Sequence, residues 1–125
     1  MKSLEGGCLC GNVRFRVNAT PDFPHTCSCS MCQRHTGALT AAWVELSRDN
    51  VEWIGPGGAP STYRSSEKSS RAFCSKCGSS LGAIDDAPIV GLLTAAFDKP
   101  HLIELKPASH SYVGKRPKWW KIVID

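Results

Sequence analysis

The sequence contains no long hydrophobic run. Its apolar stretches fall well short of the roughly 18 residues that a membrane-spanning helix needs, so an integral helical membrane protein is not predicted. Residues 1–7 also lack the basic and then apolar pattern of a secretory signal, so we expect a cytoplasmic protein in a reducing environment. Internal repeats, heptads and low-complexity tracts are absent as well. A chain of 125 residues with these properties is expected to form a single domain over residues 1–125.

The sequence also lacks a large excess of basic over acidic residues. The 15 Lys and Arg residues and the 11 Asp and Glu residues give a formal net charge of +4. A strongly basic face is therefore not predicted, and we do not expect nucleic acid or a membrane among the partners. No motif contains a nucleophile and base of the Ser/His/Asp kind, so the chemistry must be sought elsewhere in the chain.

Short segments with turn residues between them dominate the chain. Apolar and polar residues alternate over residues 12–18, which predicts a half-buried strand. A short helix over residues 30–35, with Ser30 as its N-cap, is predicted to end at Gly37. Residues 20–24 contain two prolines and are interpreted as a break. Further strands are predicted over residues 39–46, 50–54, 62–64, 71–73, 79–84 and 89–96, which together indicate a mainly β fold.

Cysteine is the residue that the sequence has in excess. There are seven, and an odd number cannot be fully paired as disulfides. Cys27, Cys29 and Cys32 place three thiols within six consecutive residues, more sulfur than packing would require. A tight turn directs the sulfurs of such a C-x-C-x-x-C run at one point, and thiolate sulfur is a preferred ligand of zinc. Three protein ligands leave one coordination position open, as in catalytic zinc sites.

Two other interpretations of the three-cysteine run stay open. His25, two residues before Cys27, or His35, three residues after Cys32, could supply a fourth ligand and close the site as a structural one. Alternatively, the C-x-x-C part could cycle between two thiols and a disulfide in a redox role. We adopt the open, catalytic interpretation for Cys27, Cys29 and Cys32.

The other four cysteines form two pairs, and a glycine follows each pair directly. In a zinc knuckle, a glycine at this position takes the positive φ that lets backbone N–H groups point at the sulfur. Two such half-sites far apart in the sequence can combine into one closed structural site, while the alternative is that all four are buried free thiols. The predicted ligands are Cys8 and Cys10, before Gly11, and Cys74 and Cys77, before Gly78.

Three segments of the chain resemble one protein family. Residues 6–15, 27–37 and 71–81 are similar in order and spacing to the motifs of the glutathione-dependent formaldehyde-activating enzyme family, which also includes centromere protein V-like members. Residues 107–113, with the Lys-Trp pair that follows them, look like the closing segment of the same family. The resemblance therefore extends over the full length of the chain.

The resemblance implies a β-tent fold with two zinc ions per chain, one structural and one catalytic. It also implies a carbon–sulfur lyase that joins glutathione, a thiol, to formaldehyde as S-hydroxymethylglutathione. The residues that match the family's zinc ligands are Cys8, Cys10, Cys74 and Cys77 for the structural ion and Cys27, Cys29 and Cys32 for the catalytic ion.

Two functional hypotheses from different classes follow. The first is a zinc-dependent enzyme that acts on glutathione or another thiol and a small aldehyde, since an open zinc site suits a thiol substrate. Arg34, near the three-cysteine run, is the candidate for binding a carboxylate of that thiol, with Lys115 and Arg116 as weaker candidates. The second is a non-enzymatic zinc-binding interaction module, which the basic residues around Trp119 and Trp120 favour.

Overall fold

The structure is a computed structural model that describes residues 2–125. Nowhere in this range does a helix have the length and apolar character needed to cross a membrane. The α-helix, α1, spans Ser30–Thr36, and 3₁₀ turns span Arg48–Asn50, Thr94–Ala96, Ile103–Leu105 and Val113–Lys115. The strands are β1 (Leu4–Gly7), β2 (Arg14–Val17), β3 (Asp22–Cys27), β4 (Ala41–Ser47), β5 (Val51–Trp53), β6 (Ser61–Arg64), β7 (Ser69–Phe73), β8 (Ser80–Asp85), β9 (Ile89–Leu93) and β10 (Ser109–Ser111).

The strands form two sheets. The smaller sheet has the order β1-β2-β5, and the larger has the order β10-β3-β4-β9-β8-β7-β6. Neighbouring strands are antiparallel, apart from β10, which runs parallel to β3 at one edge of the larger sheet. The predicted mainly β, β-tent fold with a short helix is therefore confirmed. The helix begins within the three-cysteine run, since α1 includes Cys32, and one pair of strands is parallel.

A hydrophobic core fills the space between the two sheets. The alternation in β2 turns Phe15 and Val17 inward, and both side chains are fully buried. They belong to the same cluster as Val44 of β4 and Leu92 of β9. The ring of Phe15 also meets that of Phe97 edge to face, with the centroids 5.0 Å apart. Burial of each such side chain contributes about 1.5–3 kcal/mol, so this cluster fixes how the two sheets pack.

Strand β3 corrects one prediction. The sequence predicts a break over residues 20–24, yet β3 starts within that segment. Pro24 is tolerated because the pairing of β3 with β4 is irregular just before His25, and prolines are accepted at such irregularities. Phe23 takes up the irregularity in a left-handed conformation with φ of 47°. The strand then continues to the first cysteine of the three-cysteine run.

Strands β1 and β9 also differ from the sequence prediction. β1 is not predicted because its glycines interrupt any alternation; a Cβ on Gly6 would lie 2.2 Å from the carbonyl oxygen of Ala96. The strand predicted over residues 89–96 ends at Leu93 and continues as the 3₁₀ turn Thr94–Ala96. The close approach of β1 to this turn is possible only because residue 6 is a glycine.

The outer face of the larger sheet positions the candidate site. Val44 and Leu46 of β4 point into the core, so the alternating residues Trp43 and Glu45 lie on the opposite face. Helix α1 packs over this face, and its Cys32 shares a buried cluster with Trp43. The three-cysteine run therefore lies against the sheet and not on a free loop.

Candidate metal centres

The four paired cysteines come together in one cluster. The sulfurs of Cys8, Cys10, Cys74 and Cys77 all lie within 4.8 Å of one another. The Cys8–Cys10 and Cys10–Cys74 sulfur distances are 3.7 Å and 3.8 Å. Two sulfurs bound at about 2.3 Å to one tetrahedral zinc ion would be about 3.8 Å apart, whereas a disulfide needs about 2.05 Å. The donor set and its spacing fit a four-thiolate metal site.

Backbone turns shape both halves of this four-cysteine cluster. Gly11 and Gly78 have φ angles of 82° and 80°, the positive values predicted from the sequence. The N–H of Gly78 donates to the carbonyl oxygen of Cys74 at 2.8 Å, which closes the turn. On the other half, the N–H of Val13 donates to the sulfur of Cys8 at 3.3 Å. Such N–H donors stabilise negative charge on sulfur and so favour the metal-binding thiolate form.

Without a metal, the pKa values of Cys77 and Cys10 in the four-cysteine cluster differ widely. The hydroxyl of Ser79, 3.2 Å from the sulfur of Cys77, is the main reason that the pKa of Cys77 is lowered to about 5. The backbone N–H of Asn12 lowers the pKa of Cys10, but desolvation and the neighbouring sulfurs outweigh it and raise that pKa to about 11. A metal ion must therefore displace protons from part of the cluster as it binds.

The second cluster consists of Cys27, Cys29 and Cys32, whose sulfurs also lie within 4.8 Å of one another. Cys27 is the last residue of β3, and Cys32 lies in the first turn of α1. Cys29, not the predicted Ser30, is the N-cap: its backbone is extended and its sulfur accepts the N–H of Cys32 at 3.3 Å. The prediction of Ser30 is wrong because the chain enters the helix one residue earlier, which brings Cys29 back over the first turn.

Hydrogen bonds around the helix hold the three-cysteine cluster in shape. Ser28 is fully buried, and its hydroxyl lies 2.9 Å from that of Thr40. The side-chain amide of Gln33 donates to the carbonyl oxygens of Ser28, at 2.9 Å, and Leu39, at 3.3 Å. Gly37, with φ of 76°, ends the helix as predicted. The loops before and after α1 are therefore tied to each other around the cysteines.

Burial dominates the thiol chemistry of the second cluster. Desolvation raises the pKa of Cys27 to about 12. Desolvation acts in the same direction on Cys29, but the N–H of Cys32 and the neighbouring sulfurs outweigh it, and the pKa of Cys29 is lowered. Desolvation also raises the pKa of Cys32, although the guanidinium of Arg71 opposes this rise. In the absence of a metal, Cys29 is therefore the thiol of this cluster that ionises first.

Neither candidate histidine joins the three sulfurs within the described residues. His25 is buried, with its Nδ1 2.7 Å from the carbonyl oxygen of Phe23 and its ring stacked on that of Phe23. His35 has its Nδ1 3.4 Å from the guanidinium of Arg71, and since a guanidinium only donates, this nitrogen accepts. Burial and the adjacent Arg71 both lower the pKa of His35. The geometry favours a three-sulfur site over one that a histidine closes.

The three-cysteine cluster lines a cavity of about 470 Å³ on the outer face of the larger sheet. Trp43 and Arg71 form one part of its wall, and the guanidinium of Arg71 lies over the Trp43 ring at 5.3 Å from the centroid. Glu45 and Asp85 also line the cavity. Tyr112, which has a left-handed backbone with φ of 57°, is at its rim with the ring largely exposed. The cavity thus combines sulfur, an aromatic wall and charges of both signs.

Comparison with known proteins places this arrangement in a family. The sequence model of the family described as glutathione-dependent formaldehyde-activating enzyme matches residues 3–115. The chain belongs to this family. A Halomonas elongata protein with the provisional name of glutathione-dependent formaldehyde-activating enzyme is 30% identical over 128 residues, which cover 95% of this chain and 80% of that protein. The resemblance seen in the sequence is therefore confirmed.

A solved structure supports the fold independently. The crystal structure of a Rhodobacter sphaeroides protein matches with a TM-score of 0.63 and 23% sequence identity. The match covers 86% of this chain and 99% of that one. At this level of identity the likeness extends to the fold, so the chemistry of this member of the formaldehyde-activating family must be derived from its own residues.

The structure places Arg71, and not Arg34, beside the cysteines of this family member. The guanidinium of Arg71 lies 3.7 Å from the sulfur of Cys32. Arg34 is exposed and lines an adjoining groove, to which Arg71 also contributes. Lys115 is exposed, and Arg116 donates to the carbonyl oxygen of Trp120. Sequence reasoning missed Arg71 because only the pairing of β7 with β8 brings its strand to the cavity.

Proposed function

We propose that the protein is a zinc-dependent enzyme of the carbon–sulfur lyase type that joins glutathione, or another thiol, to a small aldehyde such as formaldehyde. The observation that carries this proposal is the three-sulfur cluster, which lines a cavity and has no fourth protein ligand among residues 2–125. The name of the family supplies the two substrates. A thiol, an aldehyde and an open site with sulfur ligands form a chemically consistent set.

The proposed reaction needs no oxidant or reductant. The thiol gives up its proton, a carbon–sulfur bond forms as the carbonyl π bond breaks, and the oxygen of the former carbonyl takes up a proton. The product is an S-hydroxyalkyl thiol adduct, and the reverse reaction returns the thiol and the aldehyde. Because no atom changes oxidation state in this reaction, the cysteines need only act as metal ligands.

Zinc is the proposed metal at both clusters because sulfur donors suit it. At the open cluster, a bound zinc ion would supply a Lewis acid that lowers the pKa of a bound thiol or hydroxyl group. The proposed ligands of a structural ion are Cys8, Cys10, Cys74 and Cys77, and those of a catalytic ion are Cys27, Cys29 and Cys32.

The protein's own side chains would bind and orient the substrate. Arg71 can receive a carboxylate, and Arg34, across the adjoining groove, could extend the same positive region. Trp43 is almost fully buried and gives the cavity an apolar wall that excludes water from the reacting groups. We also propose that residues 1–125 form a single domain and that the protein is cytoplasmic. Both the domain assignment and the location stay predictions.

Zinc analysis combined with glutathione binding tests the proposal. Protein purified without chelators should contain about two zinc ions per chain. It should bind glutathione in calorimetry and speed the formation or breakdown of the hydroxymethyl adduct, as followed by NMR. Cys29→Ser should lose both properties and one zinc ion, while Ser30→Ala, which changes an exposed neighbour, should keep them. Protein with both ions that neither binds glutathione nor alters these rates would contradict the enzyme proposal.

The C-terminal tail favours a second candidate function, a non-enzymatic interaction module. Trp119 and Val123 are 74% and 78% exposed, which is unusual for such large apolar side chains. Lys118 and Lys121 flank the tryptophan pair, and Trp120 is anchored through its indole N–H to the hydroxyl of Thr40 at 3.0 Å. Salt-sensitive binding of DNA, lost on removal of residues 117–125, would support this candidate, and indifference to DNA would count against it.

A further inference from the structure

Two carboxylates that line the cavity have no partner among residues 2–125. Glu45 of β4 and Asp85 of β8 both line the cavity beside the three-cysteine cluster. Among residues 2–125, no hydrogen bond or ion pair engages either carboxylate; Arg48 donates instead to the backbone carbonyl oxygen of Asp85 at 2.5 Å. Unpaired carboxylates beside a partly enclosed site favour a ligand that carries a positive group.

The part of the cavity formed by Arg71 and Trp43 is positive and has donors without acceptors. The Arg71 guanidinium lies 3.7 Å from the sulfur of Cys32, so any carboxylate bound to it would be close to the cysteine cluster. The Nε–H of Arg71 and the Nε1–H of Trp43 are buried and have no acceptor among the described residues. Trp43 itself is only 5% exposed. Buried donors of this kind are normally satisfied, which favours a ligand that brings oxygen acceptors to this wall.

The strand register sets the spacing between Arg71 and Glu45. Arg71 pairs with Ala83, Ala83 with Gly91, and Gly91 with Glu45, so these four residues form one row across β7, β8, β9 and β4. Three steps between strands separate Arg71 from Glu45, about 14 Å at the backbone. The two residues between them are small, and the Trp43 ring lies over this stretch: a Cβ on Gly91 would be 3.3 Å from the ring, and the Arg71 guanidinium is 5.3 Å from its centroid. The indole therefore forms an apolar floor with a cation at one end and an anion at the other.

The cysteine cluster lies nearer to the Arg71 end of this row. Arg71 touches Cys32, whereas Glu45 is four residues beyond Ala41, the partner of Cys27, which corresponds to about 14 Å along the strand. A short thiol held at the cluster cannot reach Glu45. Glutathione, in contrast, has a short glycine arm with a carboxylate on one side of its thiol and a longer γ-glutamyl arm on the other, which ends in an ammonium group and a carboxylate on the same carbon.

We infer that the cavity recognises a zwitterionic γ-glutamyl thiol, with its ammonium group at Glu45 and its glycine carboxylate at Arg71. The inference rests on the proposed function, since it assigns the two arms of the thiol that the cysteine cluster would receive. Glu45 is then a specificity-determining residue that distinguishes this ligand from small thiols and from thiols without an amino group.

Calorimetry on the zinc-containing full chain tests the assignment with paired ligands. Wild-type protein should bind glutathione about tenfold more tightly than N-acetylglutathione, whose amino group is neutral. Glu45→Gln should lose that preference and bind both ligands as the wild type binds N-acetylglutathione. Glu67→Gln, which removes the same charge from the exposed β6–β7 turn, should keep the wild-type preference. At the other end, Arg71→Gln should lose the preference for glutathione over its glycine amide.

The outcomes separate the two proposals. The ammonium site is refuted if wild-type protein binds glutathione and N-acetylglutathione equally tightly, or if Glu45→Gln still prefers glutathione. The comparison of the two ligands on wild-type protein remains informative even if the variant fails to fold. Glutathione binding that depends on the free thiol, as shown by loss of binding with S-methylglutathione, but not on the amino group would overturn this inference alone. Absence of any glutathione binding would overturn the proposed function as well.

Discussion

At the scale of single residues, Gly78 shows how one backbone angle serves a candidate metal site. Its φ of 80° lies in the left-handed region, and a Cβ built on it would meet nothing within 4 Å. The only penalty of a side chain there is conformational, which is about 1–2 kcal/mol for a residue with Cβ. A substitution at Gly78 therefore tests the effect of backbone strain alone, without steric overlap.

We predict that Gly78→Ala lowers the free energy of unfolding of the zinc-containing protein by about 1–2 kcal/mol. Gly114 is the matched control, because it also has open space around it but no positive φ. Gly114→Ala should leave the stability nearly unchanged. Urea unfolding followed by circular dichroism measures both variants, and equal midpoints for the two would show that the left-handed turn is not needed.

Gln33 is a second residue whose role depends on its partners. Its amide ties the loop before α1 to the loop after it through Ser28 and Leu39, without contributing a ligand atom. We predict that Gln33→Ala weakens zinc binding at the three-cysteine cluster about tenfold, since groups that orient ligands have effects of this size. Competition with a chromophoric chelator measures the affinity, and Ser30→Ala, outside this network, should match the wild type. Unchanged affinity in Gln33→Ala would mean that the cysteines hold their positions without the loop tie.

At the scale of elements, an ion pair joins β2 to the segment after the 3₁₀ turn Thr94–Ala96. Arg14 donates to both carboxylate oxygens of Asp98, at 2.8 Å and 2.6 Å, and Glu5 lies 3.6 Å away. The N–H of Asp98 donates to the carbonyl oxygen of Glu5 at 2.9 Å, so β1 is held in the same contact. The pair thus connects the smaller sheet to the turn that bends away from the larger one.

This ion pair predicts a defined pH dependence. The hydrogen bonds from Arg14 lower the pKa of Asp98 below its unfolded value of about 3.9. The stabilisation is therefore fully present above that value and is lost as the pH falls through the folded pKa. Because the pair is partly exposed, we expect Asp98→Asn to cost about 0.5–1 kcal/mol at pH 7. The difference from the wild type should vanish in strong acid.

Thermal unfolding at a series of pH values checks the prediction for Asp98. Asp49→Asn is the control, because Asp49 is exposed and forms no ion pair among the described residues. Its melting curves should follow those of the wild type at each pH. A stability difference for Asp98→Asn that stays constant into strong acid would show that the substitution acts through packing and not through charge.

At the scale of the whole molecule, the two cysteine clusters should contribute very differently to stability. The four-cysteine cluster joins residues as far apart in the sequence as Cys10 and Cys74, while the other lies within six residues. Closing a long segment of chain removes more conformational freedom from the unfolded state than closing a short one. Structural zinc can supply about 10–16 kcal/mol, comparable to the net stability of a domain.

We predict that Cys74→Ser unfolds the protein or lowers its melting temperature drastically, whereas Cys29→Ser stays folded with a nearly unchanged melting temperature. Both variants should lose about one zinc ion per chain if folded. Circular dichroism melting combined with elemental zinc analysis distinguishes them. A Cys74→Ser protein that melts with the wild type would remove the structural role from the four-cysteine cluster.

The sequence by itself determined the mainly β class, the short helix ending at Gly37 and the division of the cysteines into groups of four and three. These features depend on local causes, which are alternation, turn residues and the spacing of ligands along a few residues. The tertiary structure decided which side chains meet the three-cysteine cluster. Arg71, Glu45 and Asp85 come from three different strands, and only the register of β7, β8, β9 and β4 turns them toward one cavity. Such register follows from packing across the whole sheet, which no local stretch of sequence encodes.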